Sequence, residues 1–267
     1  MSIRQKLQKN NDVEAGNFMT FGGHLEVLRQ MLYRIIGVVG VFAVVVFCFK
    51  DFTWQILLAP SEWDFCTYRC IESALQMLGV NFDFEEYHVN LIATDLSSQF
   101  MTHITTSIYL GLLCGSPYIL YEMFRFISPA LYEKERKYSV QVAFVIYALF
   151  IFGVLMSYFV LFPISFRFLG TYAVSERVVS TITLDSYVST FVTLTLIMGI
   201  VFQLPIIAYF LGKMGFVSAE MLSEYRKHAL IIIMVVAAII TPPDLMTLML
   251  VTMPLYVLYE ISIRVIR

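Results

Sequence analysis

Two glutamates stand among basic residues in SPALYEKERK, residues 128–137, between two long uncharged stretches of the chain. Glu133 and Glu135 are these acids, and a third carboxylate, Glu26, precedes the first apolar stretch in FGGHLEVLRQ. Carboxylates accept charge-assisted hydrogen bonds from cationic groups. Alternating charge is also typical of a solvated helix face, where each ion pair contributes only about 0.2–0.5 kcal/mol. The spacing alone therefore leaves a binding surface and a solvated helix as open interpretations.

Two further polar residues lie within or beside apolar stretches. Gln203 lies in VFQLPII, and a polar group in hydrocarbon usually faces a partner or a cavity. Pro205 frees a backbone carbonyl, which Gln203 could instead satisfy. Asp244 follows a double proline, where it could accept backbone hydrogen bonds at the start of the next helix. Each residue therefore has a structural interpretation beside a functional one.

No residue pattern in the sequence indicates catalysis. The chain shows no Ser/His/Asp arrangement, no HExxH motif and no nucleotide-binding loop. Its four cysteines form no CxxC motif. The residues therefore indicate no catalytic set and no metal site.

The composition indicates which elements must position these residues. The chain has 267 residues, of which 59% are hydrophobic and 14% are charged, whereas soluble domains carry about 25% charged residues. This balance predicts a membrane protein. The scattered lysines and arginines argue against a nucleic-acid partner.

Six uncharged segments predict six transmembrane helices, since about 20 helical residues cross a bilayer core of about 30 Å. The segments are 35–49, 104–121, 138–166, 186–212, 229–243 and 245–259. The last two have 15 residues each, which predicts two short final helices of about 22 Å. The expected fold class is an all-α polytopic membrane protein with one domain over 1–267.

The distribution of charge predicts the orientation of these helices. One side of the predicted bundle holds both termini and 14 of the 18 basic residues, so both termini are expected in the cytoplasm. The segment 51–99 then forms a periplasmic cap loop of short helices. Within it, Cys66 and Cys70 are four residues apart, an awkward spacing for a disulfide on a regular helix, and their pairing stays open. The expected location is the bacterial cytoplasmic (inner) membrane, with an organelle inner membrane as the alternative.

Several motifs follow one another along the chain in the order of a known family. They are GGHLEVLR, LLAPS, ATDLSSQF, FRFISPALYEKERK, FQLPI and ITPPDL. The chain resembles the TatC family, the multispanning signal-peptide receptor of the twin-arginine protein translocase. The resemblance implies recognition of signal peptides with two adjacent arginines and export of folded proteins driven by the proton-motive force. It also implies an oligomeric complex with small single-span subunits of the TatA/TatB type, embedded in membrane lipid. A protein of this family is expected not to be an enzyme and to need no cofactor.

The resemblance assigns a signal-binding role to Glu135, because carboxylates accept forked hydrogen bonds from guanidinium groups. Phe126 and Arg136 match the motif around this glutamate, and Arg29 falls where the pattern before the first span expects an arginine. These residues are therefore expected to form the signal-peptide site.

Glu26 departs from the family pattern HLxELR, which places its glutamate where this chain has Val27. One residue is about 100° around a helix. Glu26 therefore replaces the family glutamate only if the segment is irregular, as Gly22 and Gly23 permit.

Four other positions match the family as contacts for a partner helix or as structural residues: Gln203, Thr241, Asp244 and Pro60. An alternative function, secondary transport of a small solute, would use Gln203 and Asp244 as a coupling site. Glu260 is expected to pair with a neighbouring arginine.

Overall fold

The computed structural model describes residues 21–77, 79, 91–127, 139–172, 175, 181–242 and 244–266. Within these ranges the helices are α1 (Phe21–Cys48), α2 (Lys50–Leu58), α3 (Cys66–Met77), α4 (Ser98–Ile127), α5 (Ser139–Met156), α6 (Phe162–Thr171), α7 (Leu184–Val201), α8 (Leu204–Lys213), α9 (Ala219–Glu224), α10 (Arg226–Ile240) and α11 (Leu245–Ile266). A 3₁₀ turn covers Ala59–Ser61, and a π-helical segment, Ser157–Leu161, joins α5 to α6. Two short strands, β1 (Leu91–Ile92) and β2 (Ile182–Thr183), pair in parallel.

Five segments of the described chain are long and apolar enough to cross a membrane. They are Leu25–Cys48, Ser98–Phe126, Gln141–Thr171, Leu184–Lys213 and Leu245–Ile266. Helix α10 has 15 residues and is about 22 Å long, less than a bilayer core of about 30 Å. The all-α polytopic class is confirmed, whereas the count of six spans and the division into one domain with a cap over 51–99 stay predictions.

The final helix is longer than the sequence predicted. Helix α11 has 22 residues instead of 15, because Glu260 does not end it. The Glu260 carboxylate lies 2.8 Å from the Arg226 guanidinium at the start of α10. Glutamate is a good helix former, so α11 continues past it, and the ion pair links α11 to α10.

The densest part of the core surrounds α7. Phe162 packs edge-to-face on Tyr187 and on Phe191, at centroid distances of 5.1 and 5.0 Å. Phe166 meets Tyr187 in the same way at 5.0 Å. Edge-to-face pairs bring the positive ring edge onto the negative face of its neighbour. The aromatic residues of α6 and α7 therefore hold the third and fourth spans together.

Two glycines allow close helix contacts elsewhere in the bundle. A Cβ atom on Gly111 would lie 2.7 Å from the backbone nitrogen of Ala43, and one on Gly153 would lie 2.6 Å from the carbonyl oxygen of Met198. Small residues let helix backbones approach within a membrane. Helix α4 thus meets α1 at Gly111, and α5 meets α7 at Gly153.

Tyrosines from the bundle anchor the end of α2. Pro60 is buried and has no N–H, so the carbonyl of Ile56 lacks its helical donor. The Tyr158 hydroxyl donates to that carbonyl at 2.8 Å, and the Tyr187 hydroxyl donates to the carbonyl of Leu57 at 2.8 Å. The place of Pro60 in the fold is therefore structural, at the junction of α2 with the core.

Helix α3 contacts a second place where a proline interrupts helical hydrogen bonding. Pro163 has no N–H, which frees the carbonyl of Phe159 in the π-helical segment. The Thr67 hydroxyl donates to this carbonyl. The neighbouring Tyr68 hydroxyl donates to the carbonyl of Pro163 at 2.8 Å. Side chains of α3 therefore complete the hydrogen bonding of the interrupted third span.

Candidate functional site at the ends of the first two spanning helices

Glu26 lies on the exposed surface of the first turns of α1. Its side chain is 46% exposed and that of Arg29 is 62% exposed. Glu26 Oε1 accepts hydrogen bonds from Arg29 Nη2 at 2.7 Å and from Gln30 Nε2 at 3.2 Å. The structure therefore brings together two of the sequence-predicted site residues in an i,i+3 ion pair.

The segment around Glu26 is a regular helix. Helix α1 begins at Phe21 and continues through Val27 without interruption. The sequence left open whether Gly22 and Gly23 break the helix here, and both lie within it. Glu26 therefore occupies a different face from the position where the family pattern has its glutamate.

A buried carboxylate that the sequence reasoning missed lies on the neighbouring helix. The side chain of Glu122 in α4 is 7% exposed and accepts a hydrogen bond from the Tyr118 hydroxyl at 3.0 Å. Glu122 Oε1 also lies 3.6 Å from Arg34 Nη1 on α1 and 3.9 Å from Arg125 Nη1. Both arginines are more than half exposed. These contacts join the middle of α1 to the last turns of α4 by charge.

The signal that could have revealed this cluster is the interruption of two apolar stretches by opposite charges. Arg34 interrupts the first stretch, and Glu122 ends the second. In an antiparallel helix pair these positions lie at the same level, and ionisable residues at membrane depth almost always pair.

The remaining predicted residues of this site lie at the end of α4 and in the sequence that follows it. Phe126 lies half-buried in the last turn of α4. Glu133, Glu135 and Arg136 lie outside the described residues. Their assignment to signal-peptide binding stays a prediction.

Gln203 is buried at the break between α7 and α8. Its Nε2 donates to the carbonyl of Ile146 on α5 at 3.0 Å. The sequence suggested that Gln203 could satisfy the carbonyl that Pro205 frees on its own helix. The bonded carbonyl belongs to a neighbouring helix instead, so the amide links the third and fourth spans.

Thr241 and Asp244 organise the turn between α10 and α11. The Thr241 hydroxyl is buried and donates to the carbonyl of Ala237 at 2.9 Å. Asp244 Oδ1 accepts from the amide of Thr247 at 2.7 Å, which confirms the predicted N-cap. These residues end one helix and begin the next.

Cys66 and Cys70 are separate thiols on α3. Their sulfur atoms lie 4.0 Å apart, and both residues are exposed. A disulfide needs an S–S distance of about 2.05 Å. The hydrogen bond with Cys66, together with the electrostatic effect of that group, raises the pKa of Cys70.

The fold and this cluster define a multi-pass helical membrane protein with a charged surface at one end of its first two spans. A family model described as "Sec-independent protein translocase protein (TatC)" matches residues 23–254. The chain belongs to the TatC family and is a component of the twin-arginine translocase in the bacterial inner membrane.

Relatives of known name agree with this family. The TatC protein of Blattabacterium sp. subsp. Periplaneta americana (strain BPLAN) is 34% identical over 253 residues, covering 93% of this chain and 95% of the relative. The TatC protein of Carboxydothermus hydrogenoformans is 30% identical over 250 residues, covering 93% of each. A crystal structure of the twin-arginine translocase receptor TatC is 31% identical, with a TM-score of 0.71, and covers 91% of this chain and 97% of its own.

Proposed function

We propose that this chain is the receptor for twin-arginine signal peptides and that it binds them at the cytoplasmic ends of α1 and α4. The observation that supports this proposal is the exposed Glu26–Arg29 pair in the first turns of α1, a helix whose middle is joined at Arg34 to the last turns of α4 by Glu122. Helix α4 leads directly into the segment that contains Glu135, the residue that the family motif assigns to signal binding.

Glu135 is the principal guanidinium acceptor in this proposal. Glu26 is the second, and because α1 is regular there, it acts from its own exposed face and not from the position of the family glutamate. Exposed ion pairs contribute only about 0–1 kcal/mol, so the Glu26–Arg29 pair opens at little cost. A ligand arginine then replaces Arg29 and offers a planar fork of donors to the carboxylate. Arg29 and Arg136 remain near the bound peptide, where their positive charges offset the negative charge of the carboxylates.

Glu122 has a different part in this site. Its carboxylate is buried beneath Arg34 and Arg125, so it is less accessible to a peptide than Glu26. It fixes the spacing of α1 and α4, from which Glu26 and the segment after Phe126 extend. Glu122 is therefore a positioning residue for signal binding.

Small single-span subunits of the TatA/TatB type are the proposed partners within the translocase. The turn at Asp244 supports a contact there, because Asp244 Oδ2 is buried and has no hydrogen-bond partner among the described residues. A polar side chain of a partner helix would satisfy this oxygen. Gln203 is a weaker candidate for this contact, because its amide already bonds to α5.

Site-specific photocrosslinking tests signal recognition. A photoreactive residue is placed at position 135, at position 26 and, as a control, at Gly40 of α1. Each is presented with a twin-arginine precursor and with its twin-lysine counterpart. We expect arginine-selective crosslinks at 135 and 26 and none at 40.

Crosslinks at 135 alone would remove Glu26 from the site while keeping the receptor function. The proposal is wrong if no site distinguishes arginine from lysine while the precursor is exported normally by the wild-type protein. No contact of Gln203 favours the alternative of solute transport, since its amide is engaged between helices.

A further inference from the structure

We propose that a groove on the membrane-facing surface binds one phospholipid, with the phosphate at Arg167. The outer groove, as we name it, lies between α3, α6 and the first half of α11 and has a volume of about 700 Å³. Its wall includes Tyr68, Arg167 and Met249. It lies at the opposite end of the bundle from the Glu122 cluster, so this proposal does not depend on signal-peptide recognition.

Three methionines give the outer groove an apolar wall that faces lipid. Met246, Met249 and Met253 are 58%, 68% and 74% exposed. They follow one another down α11 over about 10 Å, at about 1.5 Å per residue. Methionine side chains are unbranched and flexible, and they adapt to irregular apolar shapes. This wall suits an acyl chain that runs along the helix.

Arg167 is the cation at the outer end of this wall. Arg167 is in the last turns of α6, near the end of the third span at Thr171. Its Cζ atom lies 4.9 Å from the centroid of the Tyr68 ring, which orients the guanidinium. Guanidinium groups bind phosphate through two parallel hydrogen bonds. The phosphate of a phospholipid lies at this edge of the hydrocarbon core.

Two buried hydroxyl groups in the groove need acceptors. Ser165 and Thr247 are 2% and 1% exposed, and neither hydroxyl has a hydrogen-bond partner among the described residues. A buried donor without a partner is costly. The ester and phosphate oxygens of a phospholipid supply several acceptors on one molecule.

The chemistry of the groove distinguishes a lipid from a partner helix. A transmembrane helix uses its own backbone carbonyls internally and offers few acceptors along its side. The outer groove presents donors at one end and apolar side chains along its length. A phospholipid has acceptors and negative charge at one end and an acyl chain at the other, so it matches both parts.

Native mass spectrometry of the full-length protein tests this site. Delipidated protein in detergent is titrated with phosphatidylglycerol, and we expect one tightly retained lipid. Arg167→Gln should weaken its binding about a hundredfold, the factor for losing two charge-assisted hydrogen bonds. Met249→Trp, which fills the groove and keeps the arginine, should also weaken it. Arg69→Gln is the matched control, because Arg69 is an exposed cation of α3 paired with Asp64, and it should bind lipid like the wild type.

The titration also distinguishes phospholipid binding from binding by other ligands. If an uncharged diacylglycerol is retained equally well, the groove binds acyl chains without recognising a phosphate. If Arg167→Gln binds lipid with wild-type affinity, Arg167 does not contact the phosphate. Either result overturns the proposal. Displacement of the lipid by inorganic phosphate alone, or by a single-span partner subunit, would overturn it as well. Thr247→Val conserves shape and should reduce retention severalfold, so it tests the site if Arg167→Gln fails to fold.

Discussion

Helices α1 and α7 are both long and apolar, yet they occupy opposite environments. Within Leu25–Cys48 none of the most apolar 18-residue window is buried inside the chain, whereas half of the corresponding window of Leu184–Lys213 is buried. Helix α7 contributes aromatic and hydroxyl side chains to a core on several sides. Helix α1 contacts the rest of the chain mainly along α4. Apolar composition therefore does not tell a central helix from a peripheral one.

This difference assigns signal recognition to α1 and α4 and stability to the core around α7. The charged residues of the candidate site lie on α1 and α4, which meet closely at Gly111 and through the Glu122 cluster. The core around α7 is held by aromatic packing and by tyrosine hydroxyls bonded to carbonyls. We therefore expect substitutions around α7 to lower stability and substitutions of the carboxylates to lower signal binding.

The largest effect is expected from Gly153→Val, which tests the core. The new Cβ would lie 2.6 Å from the carbonyl oxygen of Met198, so α5 and α7 must separate. Overpacking of this kind costs about 3 kcal/mol of the free energy of unfolding. Thermal unfolding in detergent measures it. Gly37→Val is the control, because a Cβ at Gly37 meets nothing within 4 Å; equal destabilisation by both would contradict the comparison.

Glu135→Gln should weaken twin-arginine precursor binding about a hundredfold, because two hydrogen bonds to a charged group are worth about 3 kcal/mol. Its thermal unfolding should match that of the wild type. Precursor affinity in detergent or nanodiscs measures the loss. Glu133→Gln is the neighbouring control and should lose less precursor affinity. If Glu133→Gln loses more affinity than Glu135→Gln, Glu133 is the principal acceptor instead.

Gln203→Leu removes the donor that reaches the carbonyl of Ile146. The loss of a hydrogen bond at a buried carbonyl should lower the free energy of unfolding by about 1–2 kcal/mol. Signal binding should stay unchanged, since Gln203 lies in the core. If Gln203→Leu unfolds like the wild type and loses binding of a single-span partner instead, the residue belongs to a partner interface.

Glu122→Gln retains an acceptor for the Tyr118 hydroxyl but removes the charge that faces Arg34 and Arg125. Both arginines are largely exposed, so the stability loss should be only about 0.5–1 kcal/mol. Precursor affinity should fall severalfold because α1 and α4 are held less firmly. Glu122→Asp should not retain full precursor affinity, since its shorter side chain moves the charge away from the two arginines. If Glu122→Gln binds the precursor with full affinity, Glu122 has no positioning role.

The smallest effect concerns the thiols of α3. Because the hydrogen bond with Cys66 raises the pKa of Cys70, less of the reactive thiolate forms at neutral pH. Cys66→Ala removes this bond, lowers the pKa of Cys70 toward its ordinary value and should speed its alkylation severalfold. Maleimide labelling rates between about pH 7 and pH 9 measure the shift. An unchanged rate profile would show that the bond has no influence on reactivity.

The sequence predicted the class of the fold well, since long uncharged segments need only the hydrophobic effect to become membrane helices. It erred at the final helix, because charge was taken to end a span. Glu260 lies within α11 and is neutralised by Arg226, 34 residues away in the chain. The sequence left the regularity of the start of α1 open, because two adjacent glycines permit a break without requiring one.

The sequence by itself determined the apolar segments, the N-cap at Asp244 and the motifs that place the chain in its family, because each depends on residues close together in the chain. Only the tertiary structure decided which helix lies at the centre and which carbonyl Gln203 meets. It also decided that Glu122 faces Arg34. These contacts join residues that are far apart in sequence, and their partners are set by how the helices pack.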